Sequence, residues 1–249
     1  MTLRLLSYNI RFGGRGREAQ LAAAIRQVAP DLVVFQEAID PRVIEAIAEA
    51  TSSPFWAARP AHSIGYVSRI EIAHHEWHYP PGAKHSFLEI VPAGRAARIF
   101  GLHLSAIFSK WSERRRAREI RALLQGISQH QEGFHLLAGD FNALAPGEVL
   151  DTRRMPHWIR ALVWLSGRDI ARETIQVMLD AGYLDCFRLL HPAAQRYSFP
   201  TWDAHLRLDY FFVPARYRER VKTCEIIDEP ATVAAASDHF PVLAEVEID

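Results

Sequence analysis

The sequence has few features that mark secreted, disulfide-stapled or membrane-spanning proteins. Only two of its 249 residues are cysteines, Cys186 and Cys224, which predicts two reduced thiols and not a disulfide framework. No apolar run approaches the ~20 residues that a membrane-spanning helix needs. The first residues also lack a basic stretch followed by an apolar segment and a cleavage site. We therefore expect a soluble, cytoplasmic protein with no transmembrane segment.

The charge composition gives the molecule no overall attraction to anionic partners. Lysine and arginine together number 29, as do aspartate and glutamate, so the formal net charge at pH 7 is zero. Without a net positive field, the whole molecule is not drawn onto nucleic acid or an anionic membrane, although a local basic patch remains open. The run Arg114–Arg118 is a candidate for such a phosphate-binding patch, but a run of this kind is usually a solvated helix face.

Short apolar segments alternate with amphipathic patterns, which predicts one α/β domain over residues 1–249. Helices are predicted at Glu18–Val28, at Pro41–Ala50 and from an N-cap at Ser112 through Ile127. Consecutive strand-like segments between residues 55 and 104 indicate some antiparallel pairing. The predicted strands are Leu3–Ile10, Leu32–Phe35, Ser63–Val67, Phe87–Val91, Ala97–Leu104, Phe134–Ala138, Leu208–Val213, Thr223–Ile227 and Pro241–Ile248.

One segment, Pro146–Met178, interrupts this alternation. Its tryptophans and aliphatic residues at helical spacing predict an inserted helical hairpin around residues 146–178. Such apolar stripes usually pack on the body of a protein, and the alternative is a lid or a substrate wall beside the active site.

Polar residues recur at the ends of otherwise apolar strands, where they are costly unless partners or a ligand satisfy them. Singly, each has a structural explanation: Glu37 could cap the next helix, Asn9 or Asp140 could close a turn, and His103 could be a core histidine. Asp209 lies within an apolar strand and needs a cation or hydrogen-bond donors nearby. The full set is Asn9, Gln36, Glu37, His103, Asp140, Asn142, Asp209, Ser237, Asp238 and His239.

Taken in order, these residues form a recognisable series of motifs. It comprises Ser-Tyr-Asn-Ile-Arg, Phe-Gln-Glu, Gly-Leu-His-Leu, Ala-Gly-Asp-Phe-Asn-Ala, Arg-Leu-Asp-Tyr-Phe-Phe-Val and Ser-Asp-His-Phe-Pro-Val. From Asn9 to Val242 the series resembles the endonuclease/exonuclease/phosphatase (DNase I-like) superfamily. The resemblance implies a four-layer α/β sandwich, in which two mixed β-sheets pack face to face with helices outside and strand ends from both sheets form the site.

The resemblance also implies a metal site and a phosphate contact. Glu37 is expected to be the principal metal ligand, with Asn9 and Asp238 as further ligands or water-mediated contacts. His239 would contact the scissile phosphate, polarised by Asp209, and this pairing would fix the tautomer of the imidazole. Hard oxygen ligands suit Mg²⁺, or Mn²⁺, and zinc is not expected because no histidine pair shows zinc-ligand spacing.

The remaining expected site residues act on water and substrate. Asp140 and Asn142 would position the attacking water and a phosphate oxygen, and Asn9 would also face the substrate. His103 matches a second histidine of the DNase I-like, sphingomyelinase-like and inositol-phosphatase-like branches, whereas abasic-site endonucleases generally carry a different residue there. Trp202 is expected either to stack on the substrate or to pack in the core.

These features predict a metal-dependent hydrolase of phosphate esters, either a phosphodiesterase and nuclease or a phosphatase. The substrate class stays open between nucleic acid and a phospholipid or inositol phosphate head group, with a small or flexible substrate favoured over long duplex DNA. No obligate protein partner is indicated. The alternative is a catalytically inactive binding module on the same fold. Endo or exo action, the number of metal ions and the oligomeric state are left open.

Overall fold

In a computed structural model, residues 1–106, 109–148, 151–165 and 170–248 are described. Within these residues, twelve strands form two mixed six-stranded sheets. The first sheet, in the order β11-β12-β1-β2-β4-β3, contains β1 (Thr2–Asn9), β2 (Leu32–Gln36), β3 (Phe55–Ala57), β4 (Ile64–Ser68), β11 (Val221–Ile226) and β12 (Val242–Glu247). The second, in the order β5-β6-β7-β8-β10-β9, contains β5 (Ile72–His78), β6 (Phe87–Pro92), β7 (Ala97–His103), β8 (Phe134–Asp140), β9 (Tyr183–Asp185) and β10 (Asp209–Pro214).

Helices cover the outer faces of both sheets. The five longest described helices are α1 (Glu18–Val28), α2 (Pro41–Ala50), α3 (Lys110–Gly126), α4 (His157–Leu165) and α5 (Glu173–Asp180). Two shorter helices follow, α6 (Cys186–Leu190) and α7 (Ala231–Ala236), and short 3₁₀ turns lie at Phe12–Gly14, Ser128–His130, Thr152–Arg154 and Ala215–Arg220. No helix in the described ranges combines the length and apolar character needed to cross a lipid bilayer.

The hydrophobic core lies between the two sheets. Leu5 and Val33 from the first sheet belong to the same buried cluster as Ile90 and Leu136 from the second. Helices α1 and α2 extend this cluster on the far side of the first sheet, while α3 and α5 pack on the outer face of the second around Phe100. The arrangement is the four-layer α/β sandwich that the sequence predicted, and that prediction is confirmed.

Two parallel pairings determine which strand ends meet. Strands β1 and β2 are parallel and are joined through α1, and β7 and β8 are parallel and are joined through α3. A crossover helix returns the chain so that both strands of a parallel pair end at the same edge of the sheet. Asn9 therefore pairs with Gln36, and His103 pairs with Asp140, each at the last step of its ladder.

The bounds of α1 and α2 agree with the sequence prediction, but α3 begins earlier than expected. Ser109, and not Ser112, is the N-cap, because the Ser109 hydroxyl accepts a hydrogen bond from the Ser112 amide at 3.1 Å. The arginine run is also not uniformly solvated, since Arg116 is fully buried and ion-paired with Glu113 at 2.7 Å. Its neighbours Arg114 and Arg118 are exposed, as expected for a solvated face.

The segment expected to be an inserted hairpin contains two helices, and residues 149–150 and 166–169 of it lie outside the described residues. Helix α4 packs through Val163 against Leu144, Leu206 and Leu208, in a small cluster that also touches Phe199. Helix α5 packs against α3 on the outer face of the second sheet. The outer side of α4 leaves Trp158 and Trp164 exposed, so only part of its apolar surface is buried on the body.

Candidate active site

Asp140 lies at the centre of a polar group at the ends of the strands. It is the last residue of β8 and is 1% exposed. Its Oδ2 accepts hydrogen bonds from Asn9 Nδ2 and Asn142 Nδ2, both at 3.0 Å, and its Oδ1 accepts one from the Asn142 amide at 2.8 Å. The preceding Gly139 allows the backbones of β7 and β8 to approach closely here, because a Cβ atom at this position would lie 1.9 Å from the Leu102 carbonyl oxygen.

A second carboxylate faces Asp140 directly across the sheet. Asp209 begins β10 and is the register partner of Asp140 in the antiparallel pair β8–β10. Two carboxylates buried side by side repel each other when both are ionised. Burial, with the charge of Asp209, raises the pKa of Asp140 to about 7, although the positive charge of His239 opposes the rise.

His239 binds the second carboxylate and completes the group. Its Nδ1 donates to Asp209 Oδ2 at 2.8 Å, and its Nε2 lies 3.9 Å from Asp140 Oδ2. Burial alone would lower the pKa of His239, but Asp209, with smaller contributions from Asp140 and Asp238, raises it to about 10. The ring also packs on Phe199, at 4.7 Å between centroids. His239 is therefore an imidazolium near neutral pH, and Nδ1 is held by Asp209.

Asp140, Asp209 and His239 bring ligand-type atoms together, and the two carboxylates could hold a metal ion beside the His239 imidazolium. One ligand atom from each lies within 4.8 Å of the others, and all three side chains are buried. Asp209 Oδ1 is buried without a hydrogen-bond partner among the described residues. An unpaired anionic oxygen beside a second carboxylate favours a cation at this position.

His103 approaches the group from the end of β7. Its Nε2 lies 3.7 Å from Asp140 Oδ2, and its Nδ1 is hydrogen-bonded to the Ser63 hydroxyl. The ring stacks on His85, with centroids 5.9 Å apart. Burial, together with the charges of His85 and His239, lowers the pKa of His103 to about 3, so this histidine is neutral near pH 7. The two histidines of the site thus carry different charges.

The expected metal ligands Glu37 and Asp238 lie around the turn at residues 11–14. Glu37 follows β2 in a left-handed conformation, with a φ of 60°, and its Oε2 accepts the Phe12 amide at 2.5 Å. Asp238 Oδ2 pairs with Arg11 Nε at 3.3 Å, and Asn9 Oδ1 accepts the Arg11 amide at 3.0 Å. Within the described part of the chain, neither carboxylate hydrogen-bonds to Asp140, so only Asn9 among the expected ligands contacts it directly.

Trp202 is exposed, which decides between its two expected environments. Its side chain is 69% exposed, and its ring lies 6.3 Å from that of Phe199, which packs on His239. The adjacent Thr201 amide donates to the Asp238 carbonyl at 3.0 Å, which ties this loop to the site. Core packing of Trp202 was thus the wrong alternative, and the residue stands at the surface near His239.

Four side chains that the sequence analysis did not place at the site hold its members. Ser63 links the Glu37 amide, at 3.3 Å, to His103, and Ser198 Oγ accepts the Asp209 amide at the same distance. Arg11 and His85 contact Asp238 and His103, as described above. Ser63 directly precedes β4, and Ser198 lies near the Asp209 strand, so their positions beside strand ends were the signal available in the sequence.

Comparisons with known proteins agree with this geometry. Residues 6–239 match the profile of the Endonuclease/Exonuclease/phosphatase family. No curated protein sequence matches the chain. Many solved structures share its fold, among them the following three. A 3′ phosphatase, NExo, from Neisseria, bound to a product DNA hairpin, has a TM-score of 0.73 and 19% identity over 98% of this chain and 99% of its own.

The other two structures are equally complete matches. An AP endonuclease from Archaeoglobus fulgidus has a TM-score of 0.73 and 16% identity, with 97% of this chain and 98% of that one covered. A humanized TDP2 from D. rerio has a TM-score of 0.69 and 18% identity, with 99% of each chain covered. At these identities the likeness concerns the fold.

Proposed function

Because the chain belongs to the Endonuclease/Exonuclease/phosphatase family, we propose that it is a divalent-metal-dependent hydrolase of phosphate esters. The observation that carries the proposal is the group formed by Asp140, Asp209 and His239, in which a buried imidazolium stands between two carboxylates. Hydrolysis of a phosphate ester needs an activated water and donors for the developing negative charge. The group offers a base, the Asp140 carboxylate, and a donor, His239 Nε2, which lies 3.9 Å from Asp140 Oδ2.

The residues present fit a divalent cation with hard oxygen ligands. Glu37, Asn9 and Asp238 would hold the ion at the ends of β1 and β2, and the unpartnered Asp209 Oδ1 indicates that the site has more negative charge than its described protein donors satisfy. Mg²⁺, or Mn²⁺, is the expected ion because the donors are carboxylate and amide oxygens. When bound, the ion would polarise a phosphate oxygen and neutralise charge in the transition state.

Asp140 and His239 have complementary proton roles in this proposal. Asp140, whose pKa is about 7, can accept a proton from the attacking water at neutral pH. His239 keeps its Nδ1 proton on Asp209 and presents Nε2–H to a phosphate oxygen. Asn9 and Asn142 fix the orientation of Asp140 through their amide groups, which leaves the base little freedom to rotate.

His103 acts as a neutral donor. The Ser63 hydroxyl accepts the Glu37 amide and is free to donate to His103 Nδ1, which places the imidazole proton on Nε2. That nitrogen faces Asp140, where the phosphate would lie. Because Ser63 also holds Glu37, the second histidine and the expected metal ligand are positioned by the same side chain.

We place nucleic acid first among the candidate substrates. The structurally similar NExo is bound to a product DNA hairpin, and the exposed Trp202 beside the site offers a surface on which a base can stack. With no net charge, the chain is better suited to a flexible or frayed end than to tracking along a long duplex. Phospholipid and inositol phosphate head groups stay predictions, as does a cytoplasmic location.

The proposal is tested by measuring hydrolysis of bis-p-nitrophenyl phosphate, single-stranded and duplex DNA, RNA, an inositol phosphate and sphingomyelin with Mg²⁺, Mn²⁺ or EDTA. His239→Ala is the test variant, and His157→Ala, at an exposed position on α4, is its matched control. We expect metal-dependent release that His239→Ala abolishes and His157→Ala retains. If none of these substrates is hydrolysed, the result would favour an inactive binding module. Hydrolysis in the presence of EDTA would contradict the role of the metal.

A further inference from the structure

A second cluster of ligand-type side chains lies on the outer face of strand β5, away from the strand ends that form the candidate active site. Side chains of a β-strand alternate between its two faces, so His74 and Glu76 project to the same side. The other face is occupied by His75 and Trp77, whose rings are 5.4 Å apart, and Trp77 is buried against the core between the sheets. His74 and Glu76 therefore face outward together, and both are exposed.

A third ligand stands directly across from Glu76 on the neighbouring strand. Glu89 of β6 is its register partner in the antiparallel pair β5–β6, and Glu89 is only 3% exposed. Like charges directly opposite each other destabilise a sheet unless a counter-charge lies between them. Arg98 supplies one counter-charge to Glu89, and a cation bound between Glu76 and Glu89 would offset the repulsion that remains.

The buried carboxylate is already held in a fixed orientation. His78 Nε2 lies 2.7 Å from Glu89 Oε2, and Arg98 is ion-paired with Oε1. Each carboxylate oxygen retains a second lone pair after one such contact. Hydrogen bonds from a surrounding shell that orient a ligating carboxylate are a regular feature of protein metal sites. His78 and Arg98 therefore leave Glu89 able to bind an ion while preventing its rotation.

The distances between the three ligand atoms suit a small divalent ion. His74 Nε2 lies 3.6 Å from Glu76 Oε2, and one ligand atom each from His74, Glu76 and Glu89 lies within 4.8 Å of the others. Two ligands in a tetrahedral zinc site are about 3.3 Å apart, given bond lengths of about 2.0–2.1 Å. A rotation of the exposed His74 and Glu76 side chains would close the remaining gap.

We propose that His74, Glu76 and Glu89 form a second metal site that binds a Zn²⁺-class ion and fastens edge strand β5 to β6. One imidazole and two carboxylates match the borderline character of Zn²⁺ better than that of Mg²⁺, which prefers an all-oxygen shell. Three protein ligands leave a fourth position for water. The site is separate from the candidate active site, because its ligands project from the middle of β5 and β6 and not from the ends of β7 and β8.

Zinc binding is measured by calorimetry and by the metal content after gel filtration, with excess Mg²⁺ present to occupy the candidate active site. The test variants are His74→Ala and Glu76→Gln, both at exposed positions. The control is His191→Ala, which breaks a partly exposed histidine–glutamate pair, with 2.9 Å between His191 and Glu225, and which contacts none of the three proposed ligands. We expect both test variants to bind one Zn²⁺ equivalent fewer than the wild type and than the control.

The melting temperature, measured without and with zinc, gives a second test. Without zinc, Glu76→Gln is expected to melt no lower than the wild type, because it removes a repelling pair. With zinc, the wild type is expected to gain melting temperature and the variant to gain less, since only the intact site binds the ion. Equal zinc stoichiometry in all proteins, or equal shifts in the wild type and Glu76→Gln, would overturn the proposal.

Discussion

Replacement of Asp209 by asparagine tests the charge arrangement at the centre of the candidate active site. The amide is almost the same size as the carboxylate, and its oxygen can still accept the hydrogen bond from His239 Nδ1. The change therefore removes a negative charge and preserves the geometry. What is lost is the attraction that keeps His239 protonated in a buried position.

The size of that attraction follows from the pKa of His239. A rise from 6.5 to about 10 corresponds to about 5 kcal/mol in favour of the imidazolium, most of it from Asp209. Because the pKa in the folded state lies above the ordinary value, this stability is fully present below about pH 6.5 and is lost as the pH rises towards 10. The free energy of unfolding of Asp209→Asn should therefore fall furthest below that of the wild type at about pH 6.5 and lower.

The assay is urea denaturation in EDTA at about pH 6 and about pH 9, with Asp203→Asn as the matched control. Asp203 is 44% exposed and pairs with Arg154 at the surface, where solvent screens the interaction, so its loss should change the free energy of unfolding little. We expect a deficit of about 2–4 kcal/mol for Asp209→Asn at the lower pH that shrinks at the higher one. A deficit that is the same at both pH values would refute the reasoning, because the missing interaction would then not depend on the proton of His239.

Three further predictions address the metal, the second histidine and a buried ion-pair network. Glu37→Gln should raise the Mg²⁺ concentration for half-maximal hydrolysis about 10-fold or more, while urea denaturation shows little change; an unaltered Mg²⁺ titration would remove Glu37 from the metal site. His103→Asn should lower turnover about 100-fold or more without moving either limb of the pH–rate profile between about pH 5 and 9, because burial keeps this histidine neutral, and a displaced limb would contradict that charge state. Arg207→Met should cost about 3–5 kcal/mol in urea denaturation, since it removes the ion-pair partner of buried Asp185 and one of the two guanidinium partners of Glu148, whereas a loss below about 1 kcal/mol would show that the network is solvated.

The sequence predicted those helices and strands in which apolar residues recur at a regular spacing. Helices α1 and α2 have the predicted bounds because each places aliphatic residues on one face, and α2 begins at a proline after an aspartate cap. Strand β5 was missed, since only Trp77 of its seven residues is buried and its polar residues do not alternate with apolar ones. The proposed zinc ligands escaped notice for the same reason, because the spacing of His74 and Glu76 carries meaning only on a strand.

The candidate site was predicted from its polar residues, and the family match confirms the resemblance on which their roles were based. Polar residues at strand ends can be identified from the sequence because they interrupt an apolar run. Ser63 and Ser198 were not found, because a serine beside a strand has too many ordinary explanations. Their contacts with His103 and Asp209 arise from pairings between distant segments of the chain, which a single sequence does not reveal.

Two buried charge clusters in this protein differ in the balance of their positive and negative charges. Arg207 is ion-paired with Glu148 and Asp185 at 2.8 and 2.7 Å, and Arg188 also pairs with Glu148 at 2.7 Å, so two guanidinium groups match two carboxylates. At the candidate site the excess is negative: Asp140 faces Asp209, one imidazolium serves both, and burial raises the pKa of Asp140 to about 7. The pairing of Asp209 with His239 is stabilising, but no further cation among the described residues matches the second buried carboxylate, Asp140, and local rules are broken most often where a ligand completes the site. The charge imbalance is therefore evidence for cation binding that does not depend on the family match.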